Sequence, residues 1–265
     1  MPRADNVLRV IDHGTTPIGT GDPRPRSPAR RTGHDCFACS GRPDGIFHEL
    51  DPLGMAELER LRQAATYPEG ATLFAEGEAA RAIYCVCAGR VKLSSTSREG
   101  RAVILGIAVP GDVLAIRPLL LETAHDTTAE TLDRAHVCLI PKHGFLAFLE
   151  RNPGVSLALA RKLCGELGDA YRQVRGAVLK QTSERLTETL FTLCETFGRP
   201  APDGISLRID LSQDELAALA GVSRRSLNRA LARLRSEGII ESRGRSIFIR
   251  DRESLRRGLV VSLSN

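Results

Sequence analysis

No run of apolar residues in this 265-residue chain approaches the ~18 that a membrane-crossing helix needs, so no span and no membrane partner are expected. The opening MPRADNVLRV lacks the apolar stretch of a secretory leader, which makes the cytoplasm the expected compartment. A glycine-rich phosphate loop, a zinc-protease motif and a serine nucleophile elbow are all missing, and no enzymatic activity is expected. The seven cysteines are odd in number and irregularly spaced, which excludes the disulfide framework of a small secreted domain. Cys164 and Cys194 sit in helical apolar patterns and read as small core residues.

What the chain does hold is a globular balance of 42% hydrophobic and 26% charged residues, enough for two modest domains. Its net charge of +5 is not spread evenly. Residues 221–257 carry eleven arginines against four acidic residues, while the rest carries 26 basic against 28 acidic. A basic face confined to one end points to a polyanion, nucleic acid above all, with a solvated arginine-rich surface as the plain alternative.

Residues 1–46 form the first segment; positions 1–35 hold five of the fourteen prolines and no periodicity, and read as a flexible tail. Asp51-Pro52 is a helix start, followed by Leu53, Leu58 and Leu61 at roughly helical spacing up to Tyr67-Pro68. From Glu69 the texture changes to short apolar stretches (72–74, 83–87, 91–93, 103–108, 136–140) punctuated by Gly70, Gly77, Gly89, Gly100 and Gly111. Strands at this spacing predict an antiparallel sandwich or barrel over residues 47–150. After Asn152-Pro153, Leu163, Leu167, Tyr171, Val174 and Val178 alternate in steps of four and three, a coiled-coil seam that continues towards Leu186 and Leu190. A helix over 151–197 with such a seam predicts a parallel homodimer; packing against the barrel is the alternative.

Gly198 to Gly204 breaks that helix and opens a hairpin-like segment in the last domain, 198–265. There Ser212 and Glu215 form a capping box, Leu216 and Leu219 with Ala217 and Ala220 give a small apolar face, Gly221 supplies a turn, and Ser223 caps a second helix through Leu227, Leu231 and Leu234. This is a helix-turn-helix in which the glycine and the small residues let the two helices approach closely. Its second helix opens with Arg224, Arg225 and Ser226, then Asn228 and Arg229, side chains suited to base edges and phosphates. Two short strands around Arg243-Gly244-Arg245 look like a wing carrying cations over a phosphate backbone.

A glycine-punctuated barrel, a long dimerising helix and a C-terminal winged helix-turn-helix resemble the cyclic-AMP receptor protein/FNR family of bacterial transcription regulators. The stretches that carry the resemblance are GATLFAEG at 70–77, YCVCAGRVK at 84–92, Gly111-Asp112-Val113 and GVSRRSLNR at 221–229. It implies an α+β chain with a cyclic-nucleotide-binding-like jelly-roll barrel, double-stranded DNA with a palindromic operator as partner, a homodimer, and contact with RNA polymerase. It further implies base reading by Arg225, Asn228 and Arg229, with Ser212, Ser223, Arg224 and Ser226 towards the phosphates. Position 225 carries Glu in the best-known members, so an arginine there implies half-sites unlike the familiar ones.

For the signal, nucleotide-binding members use a Glu on ribose and an Arg-Ser pair on phosphate. Here Asp112 and Thr127-Thr128 stand in those positions, which argues against cyclic AMP, since a buried phosphate would lack its cation. In FNR-like members an N-terminal cysteine cluster and one barrel cysteine hold a [4Fe–4S] centre. Cys36, Cys39 and Cys138 match three of those four positions; the fourth is Gly45, which leaves Asp44, His48 or His34 to complete the shell. Three readings therefore stand: an iron–sulfur centre with one non-cysteine ligand, a dithiol/disulfide switch between Cys36 and Cys39 or of either with Cys138, and no sensing role. Cys85 and Cys87 read as a further thiol pair or, more simply, as core.

Overall fold

The structure is a computed structural model that describes residues 30–31, 45–97, 102–207, 211–243 and 246–260; His34, Cys36, Cys39, Asp44 and Arg245 lie outside these. Strand β1 (Arg30–Arg31), inside the tail expected to hold no element, is antiparallel to residues 65 and 66. Asp51 caps α1 (Pro52–Leu61) by accepting the Gly54 N–H at 2.7 Å, with Pro52 where a missing N–H is no loss. Met55 and Leu58 are the residues that α1 buries, whereas Leu53 is 82% exposed.

The helix stops at Arg62, not at Tyr67-Pro68, and Gln63–Tyr67 is strand β2. Ala64 and Ala65 favour helix, but ladder pairing along the whole segment overrides that preference. There follow β3 (Thr72–Phe74), β4 (Ala82–Ala88), β5 (Val91–Thr96), β6 (Ala102–Ala108), β7 (Val113–Leu114), the short α2 (Ile116–Leu120), β8 (Thr128–Thr131) and β9 (Ala135–Pro141). The five expected strands are all present, and β2, β7 and β8 complete two antiparallel sheets ordered β1-β2-β9-β4-β7 and β3-β8-β5-β6. Tyr67, Leu73, Phe74, Tyr84, Val91 and Val137 fill the space between them. At the β4–β5 turn Gly89 has φ +82°, and a Cβ there would lie 2.6 Å from the Ala135 Cα, so only glycine fits.

The outer face of the first sheet, with Ile83, Val113 and Ile140, is covered by α1, α3 (Lys142–Arg151) and the start of α4 (Pro153–Leu179) through Met55, Phe145, Phe148 and Leu159. The long helix does not run on to Leu186 and Leu190. Lys180 turns extended, and α5 (Thr182–Phe197) restarts with the Glu184 carboxylate accepting the Gln181 N–H at 3.0 Å. Leu186 and Leu190 are fully buried in the core of the last domain, beside Leu216, Leu227, Leu231 and Ile249. The segment 151–197 is thus two helices, and the second belongs to the C-terminal core.

That domain adds the hairpin β10 (Gly198–Ala201) and β11 (Gly204–Leu207), then α6 (Gln213–Leu219), α7 (Arg224–Ser236), β12 (Ile240–Arg243), β13 (Ser246–Ile249) and α8 (Arg252–Val260). The glycine-proline stretch expected to break the helix and open a hairpin-like segment supplies the first hairpin strand itself, and the four strands order as β10-β11-β13-β12. Among the described residues no helix is long and apolar enough to cross a membrane.

Candidate nucleic-acid interface and sensor wall

The two helices of the C-terminal domain are fixed by local chemistry. The Ser212 hydroxyl accepts the Glu215 N–H at 3.2 Å, and the Glu215 carboxylate accepts the Ser212 N–H at 3.0 Å, so α6 begins with two of its orphan donors satisfied. Gly221 has φ +61° with nothing within 4 Å of where its Cβ would sit. It serves the left-handed turn, not the close helix approach expected of it; Ala217, buried in the core, is the small residue at the contact. The Ser223 hydroxyl caps α7 by accepting the Ser226 N–H at 3.2 Å, and it donates to the Ser226 hydroxyl at 3.0 Å.

From that cap, Leu227 and Leu231 turn into the core while Arg225, Asn228 and Arg229 stand exposed along the rest of the helix. Arg224 is engaged with Asp214 at 2.8 Å across the turn, and Ser212 is exposed at the start of α6. The wing exists as the antiparallel pair β12–β13; Arg243 ends its first strand, and Arg245 is outside the described residues. An exposed helix with guanidinium and carboxamide heads at its N-terminal end, carried on the core of α5 to α8 and flanked by a strand pair, is shaped for a DNA groove.

Comparison with known proteins agrees. Residues 64–152 match the cyclic nucleotide-binding domain and residues 184–258 the Crp-like helix-turn-helix domain. The chain is 28% identical over 213 residues to the CRP-like cAMP-activated global transcriptional regulator of Mycobacterium tuberculosis, covering 80% of this chain and 95% of that one. It is 23% identical over 208 residues to the fumarate and nitrate reduction regulatory protein of Yersinia pestis, covering 78% and 81%. In fold it is similar to the c-di-GMP responsive global regulator CLP of Xanthomonas campestris, with a TM-score of 0.69 at 22% identity over 76% of this chain and all of that one. The chain belongs to the CRP/FNR family of transcription regulators. Its relatives are DNA-binding regulators and not enzymes.

Within this CRP/FNR regulator the barrel grips the DNA-binding domain directly. Lys92 on β5 donates to Glu215 at 2.6 Å and to Glu130 at 3.2 Å, so the residue that caps α6 also bridges to the barrel 123 positions away. Burial works against both charges, yet the mutual hydrogen bonds outweigh it: the Glu215 carboxyl is held below its usual pKa and the Lys92 ammonium above its own. No local pattern announces this contact in the sequence.

The positions expected to meet a nucleotide are occupied otherwise. Asp112 accepts the Val109 N–H at 2.9 Å through one oxygen and Lys162 of α4 at 2.8 Å through the other. The Thr128 hydroxyl accepts the Glu76 N–H at 3.1 Å. Next to them His125 is buried, stacked on Phe74 with ring centroids 4.0 Å apart, and burial pushes its pKa down to about 4.

Cys138 lies buried on β9, its Sγ 3.4 Å from that of Cys87 and 4.0 Å from Nη1 of Arg62. Cys85, opposite Cys138 in register, completes a group of three thiols in the wall of a cavity of ≈ 50 Å³. Gly45, Phe47, Met55 and Leu58 close the other side. His48 does not line it: its Nδ1 is 3.0 Å from the Gly45 carbonyl and its Nε2 3.3 Å from Glu49. Sequence reasoning recognised Cys138 but not its partner, because the pairing depends on strand register.

Proposed function

We propose that the chain acts as a homodimer on a palindromic operator, reading bases with Arg225, Asn228 and Arg229, and that a redox or oxygen-type signal received in the barrel sets its affinity. The observation that carries this reading is the apolar row left in solvent along α4. Leu167, Tyr171, Val174 and Val178 are 52%, 66%, 62% and 76% exposed, at steps of four, three and four. A second α4 running parallel covers that row, seam to seam. Leu163, the first seam residue, is half-buried against the barrel-side core and marks where the helix leaves its own domain. A two-fold axis along α4 presents two recognition helices to half-sites about 34 Å apart, one turn of DNA, and RNA polymerase is the partner that reads the bound dimer.

Support for a redox signal comes from the thiols. Cys138 faces Cys87, and Gly45 and Phe47, which follow the C-x-x-C of the tail, line the same cavity. A [4Fe–4S] centre takes four ligands, whereas among the described residues no three His, Cys, Asp or Glu side chains converge on a metal position. Of the candidate cluster ligands, Cys138 and His48 are among the described residues and Cys36, Cys39, Asp44 and His34 lie outside them, so the support for the redox reading is the thiol contact. Cyclic AMP is not part of it, because the Asp112 carboxylate is held by Lys162 and Val109.

The test is a single preparation, purified without oxygen, from which an operator is selected out of random duplexes. Expected are a two-fold symmetric site, a dimer by light scattering, and an operator Kd that changes at least tenfold between reduced and oxidised protein. Val174→Glu should leave a folded monomer with no measurable palindrome binding. A wild-type monomer bound to a single half-site, with one affinity in both redox states, overturns the proposal.

A further inference from the structure

Strands β4 and β9 pair with Cys85 opposite Cys138, and the register slips between Val86 and Ala88. Cys87 is the extra residue of that bulge. Bulges re-aim side chains, and here the displaced Sγ ends 3.4 Å from the Cys138 Sγ. Both residues are 4% exposed, and Val86 and Val137, their neighbours in sequence, point into the barrel core. The two thiols thus share the opposite face, the one that looks onto the cavity under α1. We propose that Cys87 and Cys138 form a peroxide-oxidisable dithiol that closes to a disulfide in the barrel wall, a step that rests on the redox reading above and gives it a chemistry.

Three features suit the pair to this reaction. The Sγ atoms need to approach by little more than 1 Å to reach the bonded distance of about 2.05 Å. The cavity of ≈ 50 Å³ admits a small oxidant, since roughly 15 Å³ is enough for a water. Arg62 directs an N–H of its guanidinium at the Cys138 Sγ, 4.0 Å away, which orients the sulfur at the cavity wall. The Cys138 thiolate attacks one peroxide oxygen; the O–O bond breaks, and the other oxygen leaves and takes up a proton as water. The Cys87 sulfur then attacks the sulfenic sulfur; the S–O bond breaks, its oxygen departs as a second water, and the S–S bond remains. Two electrons pass from the two thiols to the peroxide.

The neighbourhood of the pair touches the dimer helix. Val86, beside Cys87, donates its N–H to the Asp112 carbonyl and accepts the Gly111 N–H, both at 2.9 Å. The Asp112 carboxylate in turn holds Lys162 of α4 at 2.8 Å. A bulge tightened at Cys87 bears on the loop that fixes the start of the seam.

The decisive experiment treats the reduced full-length protein with one equivalent of hydrogen peroxide without other oxidants, then counts thiols and maps non-reduced peptides by mass spectrometry. Expected is the loss of two thiols per chain and a peptide joining Cys87 to Cys138, absent from Cys87→Ala and restored to two thiols by dithiothreitol. A cross-link from Cys138 to Cys36 or Cys39, or no loss of thiols, overturns the pair. The wild-type map decides this even if a cysteine variant folds poorly. Operator binding measured on the same samples separates the two proposals. The cross-link with unchanged affinity upholds the pair and overturns the redox reading, whereas redox-dependent affinity without the cross-link overturns the pair alone.

Discussion

The DNA-binding end and the barrel end of this regulator are built in opposite ways. At the DNA end, the caps and the turn that set the two helices are local in sequence: Ser212 and Glu215 cap α6, Gly221 makes the turn, and Ser223 caps the helix that carries Arg225, Asn228 and Arg229. At the barrel end the parts of the thiol wall come from α1, β4, the 109–112 loop, β9 and α4, and meet only through sheet register and packing. A site written in local sequence tolerates change elsewhere in the molecule. One assembled by register depends on the pairing of β4 with β9 and on the bulge at Cys87.

The largest expected effect tests whether the DNA end is an independent unit. Leu227 is fully exclosed from solvent in a core that α5 to α8 and the last sheet make together. Leu227→Ala should cost about 2–5 kcal/mol through lost burial and the cavity left behind. The loss should appear in the unfolding of the C-terminal domain, followed by differential scanning calorimetry, with the barrel transition in place because its core between the two sheets is a separate cluster. Equal loss in both transitions would mean that the two ends stand or fall together.

The same contrast explains what could be read from sequence. Glycine-punctuated strands β3 to β6 and β9, the capping residues and the basic opening of α7 are each encoded by neighbours a few positions apart. Strand β2 was legible only as helix, since Ala64 and Ala65 carry helix preference and their pairing with β9 is a contact some seventy residues distant. The end of α4 was hidden for a related reason: the apolar spacing runs on through Leu186 and Leu190, and only tertiary burial shows that these leucines serve a different core. Cys138 stood out through its resemblance to a cluster ligand, while Cys87 reads from sequence as a pair with Cys85 or as core, because its approach to Cys138 depends on how β4 pairs with β9.

A second prediction concerns the barrel alone. His125 is stacked on Phe74 and buried, with its Nδ1 lacking a hydrogen-bond partner among the described residues. Burial, only partly offset by the Glu78 carboxylate, takes its pKa from 6.5 to about 4. The unfolded chain takes up this proton below pH 6.5, the folded one only below about 4, so barrel stability is full above 6.5 and falls as the pH drops through that window. The loss should reach about 2 kcal/mol once solvent screening is allowed for. Urea midpoints at pH 7.5 and 5.0 measure it, and His125→Leu should flatten the difference without moving the C-terminal transition; an unchanged slope in that variant would remove His125 from the account.

The smallest effect lies where the two ends meet. Lys92 on the barrel and Glu215 in the cap of α6 are 2.6 Å apart, with side chains 12% and 28% exposed. Because Glu215 also serves Ser212, the single change Glu215→Gln mixes loss of the bridge with a weakened cap. A double-mutant cycle with Lys92→Met and Glu215→Gln isolates the bridge, and a coupling of about 1 kcal/mol is expected for a partly buried pair. The informative quantity is the coupling measured with and without operator. A term that vanishes on the DNA makes the bridge a contact of the unbound arrangement, broken when the recognition helices seat. A term that persists makes barrel and α6 one rigid piece in both states.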